Sequence, residues 1–497
     1  MHIKKLLERQ QDNNNTAVII NNHSYSYKDL YDRAKTLSSF LSRIISPSSG
    51  NIALFLPNSY QYVYSYFAIT MADKVIVPIS NEAKAPEIVA TVDYCDVDII
   101  ITDSKHIPII IEVISKVSRP ILIINGETQE IIEPNDDYNS LHITREPNWN
   151  EDLFDVAIML HTSGTTSNPK RVMLTHENLI ANIKSNICSL ELTSADKVLI
   201  QLPMFFGYCN TAQLLTHIYL GASIVIMDKI FTPNYFWRMV ERERITNFTT
   251  VPSCLLLLLE SRSVAENQYA SLRYICFGGG IMPFDQLKIL IERYPSIGFV
   301  HTYGQTEASP RITCLLPPES LVKLGSVGKP IPNVELSLIN ITHTEDSKEG
   351  IGELIVRGPN VMKGYYKRKE ETSRTVVNGW LHTGDLGKYD DEGFIYLVGR
   401  KKNIIISSGI NIYPEEIEEI IMNFSNTEKV IVFGEADDLF GELPVAKIKF
   451  KNQENEQENI SLLKEHCQKL LSTVKVPKKF YVVSEFEQTL TGKLKRF

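Results

Sequence analysis

The chain has 497 residues, too long for one ordinary core, so two or more domains are expected. Its 43% hydrophobic and 22% charged residues are those of a soluble globular protein, and a net charge of −8 argues against a nucleic-acid surface as its main business. Seven scattered cysteines without a Cys-x-x-Cys pair argue against a disulfide framework or a zinc site and fit a reducing cytosol. The first ten residues hold no apolar signal region, and the longest aliphatic run, 255–259, is far short of a membrane span. A cytoplasmic protein with no nucleic-acid partner and no membrane span is expected.

Ser26-Tyr-Lys-Asp29 reads as a helix capping box, and Leu30, Ala34, Leu37 and Leu41 follow at helical spacing. Residues 51–56 read as a buried strand, 60–71 as a helix and 74–78 as another strand, with 97–102 and 120–124 continuing the alternation. Strands alternating with helices predict an α/β chain with a largely parallel sheet covered on both faces.

Residues 155–160 read as one more buried strand, running into His161-Thr-Ser-Gly-Thr-Thr-Ser-Asn-Pro-Lys-Arg171. Beyond it, Thr175 precedes a helical apolar spacing that begins at Asn178. A hydroxyl- and glycine-rich loop between a strand and a helix can wrap its N–H groups around phosphate oxygens, and Lys170 adds a compact positive charge. It is not a Walker A loop, which needs Gly-x4-Gly-Lys-Ser/Thr. Counted from Gly164, Pro169 stands at the second glycine and Arg171 at the hydroxyl position.

A strand over 197–202 precedes Pro203-Met-Phe-Phe-Gly-Tyr-Cys209. Residues 271–280 read as a strand ending in Gly278-Gly279-Gly280, where a flat ring could approach the backbone. His301-Thr-Tyr-Gly-Gln-Thr-Glu307 comes next, then a strand over 352–357, then Gly379-Trp-Leu-His-Thr-Gly-Asp385. Residues 389–396 read as a hairpin leading to Gly399-Arg-Lys-Lys-Asn403, the expected domain boundary. Pro414 opens a helix whose acidic first turn suits the helix dipole. The stretch 452–459 reads as a solvated low-complexity loop, and the chain ends in Thr489-Leu-Thr-Gly-Lys493 and four further residues.

Thr-Ser-Gly-Thr-Thr-x-x-Pro-Lys, then Tyr-Gly-x-Thr-Glu, Gly-Asp, Gly-Arg-Lys-Lys and Thr-x-x-Gly-Lys, in this order, resemble the adenylate-forming enzymes: acyl-CoA synthetases, aryl-acid ligases, luciferases and peptide-synthetase adenylation domains. The likeness runs from about Ser26 to Lys493. The sequence departs from the family at Ser167 and Arg171, where glycines are usual, and at Glu487, where proline is common. The resemblance implies a large N-terminal domain over 1–399, made of two layered α/β sheets and a small β-barrel-like subdomain. A hinge over 400–402 and a small mobile α+β domain over 403–497 would follow.

It also implies ATP, Mg²⁺ and CoA, or phosphopantetheine on a carrier protein, as ligands. Thr162, Ser163, Gly164, Thr165, Thr166 and Lys170 would cradle phosphates, with Thr162 and Glu307 holding Mg²⁺. Gly278, Gly279, Gly280, Thr302, Tyr303 and Gly304 would form the adenine pocket, Tyr303 stacking on the base. Thr306 would hold the reacting carboxylate or α-phosphate. Asp385 and Arg400 would take the ribose hydroxyls, and Lys402 would be the hinge residue. Gly409 would leave room for the pantetheine arm, and Lys493 would be the catalytic lysine. Phe206 and Tyr208 fall in the implied acyl pocket, where amino-acid-activating relatives carry an Asp at the Phe206 position. A Phe cannot pair with an ammonium, so an apolar or aryl acid is expected and an α-amino acid is disfavoured. The reaction implied is acyl-adenylate formation with release of pyrophosphate, then transfer to a thiol, CoA or a separate carrier protein. A luciferase-like oxygenase and a nucleotide-binding regulator without turnover remain the alternative readings.

Overall fold

A computed structural model gives the structure of the chain, described for all residues except 46–49, 118–120, 133–152, 163–169, 263, 281, 345–346, 408–409, 438–439, 453, 488–493 and 495–497. Among the described residues three sheets organise it. The first has fourteen strands, and its middle is parallel: Thr16–Ile20, Ser223–Ile226, Lys197–Ile200, Asn247–Thr250, Tyr274–Gly278 and Gly298–Gly304 lie side by side. Beyond Gly298–Gly304 it turns antiparallel through Arg311–Leu315 and Ser326–Pro330. It then runs into the long strands Ile395–Arg400, Trp380–Tyr389, Ser347–Arg357 and Glu335–Thr344. The β-rich segment expected as a small subdomain is thus joined edge-on to the larger sheet.

The second sheet has eight strands with a parallel centre: Val156–His161, Val75–Pro78, Asn51–Phe55, Val97–Thr102 and Leu122–Asn125. These central strands are buried on both faces, which is why they read as continuous apolar runs rather than alternating ones. The third sheet, of five strands, lies wholly within 405–482. Its core, from Ile405 to Val476, shares no residue with the other three hydrophobic clusters.

Helices pack as their sequences require. Tyr27–Ile44 is capped by Ser26, whose hydroxyl accepts the Asp29 N–H while the Asp29 carboxylate accepts the Ser26 N–H. Its Leu30, Ala34, Leu37 and Leu41 are fully buried. Two expectations need correction. The loop after His161 does not lead directly into a helix: strand Arg171–Thr175 folds back antiparallel on Val156–His161 first. The helix His176–Leu190 then starts on a Thr175–Asn178 capping box, two residues before the apolar spacing does. The stretch 452–459 is not all loop either, because helix Glu456–Leu470 takes its first turn from it, with Glu456 and Glu458 at the positive end of the dipole. Among the described residues no helix is long and apolar enough to cross a membrane.

Candidate active site

Strand Gly298–Gly304 carries the site's central residues, and its register places each one. Thr302 lies opposite Gly278, where an added Cβ would meet the Thr302 carbonyl oxygen at 2.3 Å, so the strands leave no room for a side chain there. Gly279, at φ +81°, and Gly280 turn the chain away, and a Cβ on Gly279 would meet nothing within 4 Å. The turn is therefore open enough to receive a flat ring. Gly304 closes on the next strand, where the Pro310 carbonyl would sit 1.9 Å from an added Cβ and accepts the Gln305 N–H at 2.9 Å. The short turn Thr306–Ala308 follows, fixed by the Met362 N–H on the Glu307 carbonyl and the Asn360 side-chain N–H on that of Ala308, both at 2.9 Å.

Asp385 is the polar hub. It is 5% exposed and lies directly across from Arg400 on paired strands. Its Oδ1 takes the Arg400 Nε at 2.6 Å, and its Oδ2 takes the Tyr303 hydroxyl at 2.7 Å and the Gln305 side-chain N–H at 2.6 Å. Burial, and then the Asp385 charge, hold the Tyr303 phenol well above its ordinary pKa, so it stays a donor. Burial works against the Arg400 charge, but Asp385, Tyr303 and Glu307 together raise its pKa. Tyr303, Asp385 and Arg400 are thus brought together, and Gln305 joins them.

A second polar group sits on the Glu307 side. The Tyr365 hydroxyl donates to Glu307 Oε1 at 2.9 Å, the Lys170 ammonium stands 4.7 Å over the Tyr365 ring, and Lys170 pairs with Glu371. Tyr365 reaches this place because the two-residue strand Gly364–Tyr365 pairs with Arg171–Thr175. The Thr162 N–H donates to the Lys170 carbonyl at 3.2 Å and closes the neck of the loop. Arg171 turns its side chain into the interior, 4% exposed, with Nη2 on Thr91 Oγ1 at 2.7 Å and Nη1 on the Pro78 carbonyl at 3.3 Å. An arginine at this glycine position is accommodated by burial and not by the loop. Beside it, burial and the Arg171 charge lower the His161 pKa to about 4.

On the acyl side, Phe206 is half-buried with its ring 4.3 Å from that of Phe205, and the Tyr208 hydroxyl bonds Thr302 Oγ1 at 2.7 Å. A Cβ added at Gly207 would meet Leu160 at 3.0 Å and Pro310 and Thr306 at 4.0 Å, so this segment lies beside the Thr306 turn. Lys402 lies in the turn Lys401–Asn403 between the Arg400 strand and the third sheet. Ser163, Gly164, Thr165, Thr166, Gly409 and Lys493 lie outside the described residues.

Sequence reasoning missed Gln305, Tyr365 and Glu371. It also missed the buried Asn178, Asn182 and Asn186, which recur every four residues along one face of helix His176–Leu190. Asn178 donates to the Pro359 and Val361 carbonyls, Asn182 to Ala308 and Arg311, and Asn186 to Ala212 and the Thr216 hydroxyl. Helix-interior asparagines at that spacing are poor helix formers and were the available signal.

Residues 7–366 match the model of the AMP-binding enzyme family, and 416–493 match that of the AMP-binding enzyme C-terminal domain. A 2-succinylbenzoate–CoA ligase of Bacillus cereus is 30% identical over 488 residues, spanning 97% of this chain and 94% of that protein. One from Oceanobacillus iheyensis is 30% identical over 484 residues, spanning 95% and 93%. Among solved structures, the o-succinylbenzoate CoA synthetase of Bacillus subtilis in complex with its acyl-adenylate intermediate superposes with a TM-score of 0.85 at 26% identity, over 100% of this chain and 97% of that one. The ATP-bound MatB of Rhodopseudomonas palustris shares the fold, with a TM-score of 0.84 at 23% identity over 100% and 98%. The chain belongs to the AMP-binding enzyme family and is an adenylate-forming acid–thiol ligase.

Proposed function

We propose that this ligase activates an aryl keto-acid of the 2-succinylbenzoate kind with ATP and passes the acyl group to CoA. The observation that carries the reading is the match to 2-succinylbenzoate–CoA ligases over 97% of this chain and 94% of theirs. The wall formed by Phe205 and Phe206 supports it, since these rings suit an aryl group and offer no carboxylate to an amino acid's ammonium. Seven cysteines, none of them in a disulfide, support a reducing, cytoplasmic setting.

In this reading the Gly278–Gly280 turn and the Tyr303 ring receive adenine. Asp385 accepts from the ribose. A carboxylate has about four lone-pair sites, and Tyr303, Gln305 and Arg400 already engage three on Asp385. One hydroxyl can therefore enter as the site stands, and a second requires Gln305 or Arg400 to move aside. Lys170 leaves Glu371 to meet the β- and γ-phosphates together with Ser163, Gly164, Thr165 and Thr166. Glu307 and the Thr162 hydroxyl would hold Mg²⁺, which when bound screens phosphate charge as the α-phosphorus is attacked. Among the described residues Glu307 is not gathered with other His, Cys, Asp or Glu side chains into a metal-holding group, so this cation would take most of its ligands from nucleotide oxygens and water. Thr306 orients the reacting carboxylate, and Lys493 bridges it to the α-phosphate as charge develops. The chain divides after 399, turns at 400–402 about Lys402, and presents 403–497 first for adenylation and then, past Gly409, for thiol attack.

The test is carboxylate-dependent ATP–pyrophosphate exchange with 2-succinylbenzoate and with fatty, aryl, hydroxy and amino acids, followed by CoA-dependent release of AMP. Exchange with 2-succinylbenzoate and acyl transfer to CoA are expected. Transfer only to carrier-bound phosphopantetheine would overturn the acceptor. Silence across the panel with ATP binding intact would indicate a regulator without turnover.

A further inference from the structure

Arg311 is 2% exposed and sits on strand Arg311–Leu315, one residue beyond the proline that packs against Gly207. Among the described residues its guanidinium meets Asn186, Tyr208, Cys276 and Cys314, none of them a carboxylate, and its buried Nε has no hydrogen-bond partner among them. An interior charge that is not paired is expensive to keep, so its position calls for a role.

The hydrogen bonds around it have a fixed direction. The Thr302 hydroxyl has one hydrogen and donates it to the Phe277 carbonyl at 3.0 Å. In the 2.7 Å contact between Thr302 and Tyr208 the phenol must therefore donate, which leaves the Tyr208 oxygen's lone pairs as acceptors beside the guanidinium. Burial pushes the Tyr208 phenol up to about 12, so it keeps the proton this arrangement needs. Arg311 also donates to Asn186 Oδ1, and Asn186 in turn donates to Ala212 and Thr216. Those two residues belong to the π-helical turn Asn210–Leu215 and the helix that continues it. Such turns are rare and are frequently found at functional sites. From one buried position, then, Arg311 holds both ends of the segment that follows Phe206.

We propose that Arg311 is a positioning residue for the acid, acting through Tyr208 and Asn186 to fix the acyl-side helix against strand Gly298–Gly304 without touching substrate. The proposal rests on the placement of the acyl pocket at Phe206 and Tyr208. It makes acid binding depend on Arg311 more than ATP binding does, because among the described residues the Asp385 hub shares no hydrogen bond with the Arg311 network, which meets the adenine side only at the Thr302 hydroxyl.

Two measurements test it, on Arg311→Met, Arg311→Lys, Tyr208→Phe and the Arg311→Met/Tyr208→Phe double variant. In ATP–pyrophosphate exchange with 2-succinylbenzoate, Arg311→Met and Tyr208→Phe should each raise KM for the acid about tenfold, with KM for ATP within about twofold. The double variant should be no worse than the poorer single one, and Arg311→Lys should recover part of the loss. Hydrogen exchange needs no substrate: backbone amides in 207–215 should exchange about tenfold faster in Arg311→Met and Tyr208→Phe than in the unaltered protein. Equal rises in both KM values, additive losses in the double variant, or unchanged exchange over 207–215 would each overturn the proposal. Should Arg311→Met fail to fold, Arg311→Lys and Tyr208→Phe carry the same comparison. A wild-type enzyme silent with 2-succinylbenzoate would sink the substrate reading alone, since the exchange rates over 207–215 still decide the role of Arg311.

Discussion

The Asp385 hub and the Lys170–Glu371 pair are both ionic groups on the proposed nucleotide path, yet they are built differently. Asp385 is 5% exposed and takes donors from Arg400 directly across on the paired strand, from Tyr303 on strand Gly298–Gly304 and from Gln305 just beyond it. Lys170 and Glu371 are 27% and 33% exposed, stand 201 residues apart in sequence and meet at the mouth of the loop. Charge-assisted bonds in a buried frame are strong, and breaking them leaves charges stranded, whereas a half-exposed ion pair contributes little and can exchange partners. The proposed ribose end is thus preformed, and the proposed phosphate end is held by a contact that a nucleotide could displace.

The largest effect should come from the preformed end. Asp385→Ala takes the carboxylate from the Arg400 guanidinium and the acceptor from the Tyr303 hydroxyl, and leaves the Gln305 amide only the Thr383 carbonyl. ATP-dependent exchange should fall on the order of 10²-fold, and the denaturation midpoint should drop by the equivalent of about 2 kcal/mol, discounted for the part-exposed Arg400. A variant that loses activity but keeps its denaturation midpoint would mean that the hub is not the frame described.

Lys170→Ala should act the other way round. Exchange should fall about tenfold, mainly through KM for ATP. Stability should change by less than about 1 kcal/mol, because its partner Glu371 remains within reach of water and of Arg368. A stability loss as large as that of Asp385→Ala would erase the contrast between the two ends.

Tyr365→Phe separates metal affinity from nucleotide affinity. It removes the hydroxyl that donates to Glu307 and keeps the ring under Lys170. One neutral-to-charged hydrogen bond is worth about 1.5 kcal/mol at the low end, roughly a tenfold factor, and this one is part-exposed. The Mg²⁺ concentration giving half-maximal exchange should shift severalfold, and KM for ATP at saturating Mg²⁺ should stay put. Equal shifts in both would mean that Tyr365 serves the nucleotide directly.

How legible each end was in the sequence follows from the same difference. Tyr303, Asp385 and Arg400 stand in short motifs on strands, where a dedicated residue type is needed at a fixed place. Glu371 and Tyr365 become visible only once Gly364–Tyr365 pairs with Arg171–Thr175, a two-residue strand with no periodicity to announce it. Arg171 illustrates the limit from the other side. By sequence it stands in place of a loop glycine, and only the antiparallel return of its strand shows its side chain pointing inward to Thr91. The alternating layers were readable because buried parallel strands write themselves as apolar runs. The edge-on continuation of the first sheet was not, since that pairing joins strands without a local signal.

The smallest effect tests the exchangeable end most directly. Burial alone would raise the Glu371 pKa, but the Lys170 and Arg368 charges outweigh it and hold the carboxyl below its ordinary range. A carboxyl depressed by folding adds stability above its unfolded pKa and loses that contribution as the pH falls through the depressed folded value. Glu371 therefore stays ionised, and keeps hold of Lys170, across the whole neutral range. Glu371→Gln removes that hold without removing side-chain bulk, and Lys170 no longer has to leave a carboxylate before it meets phosphate. KM for ATP should fall two- to threefold, as expected for release of an ion pair worth about 0.5 kcal/mol. The gain should shrink in high salt, where screening weakens the wild-type pair as well. Between pH 6 and 9 it should be constant, because no proton enters or leaves Glu371 there. A gain that appears only below pH 6, or a loss of ATP affinity at any pH, would show that Glu371 orients Lys170 for the phosphates and does not hold it back from them.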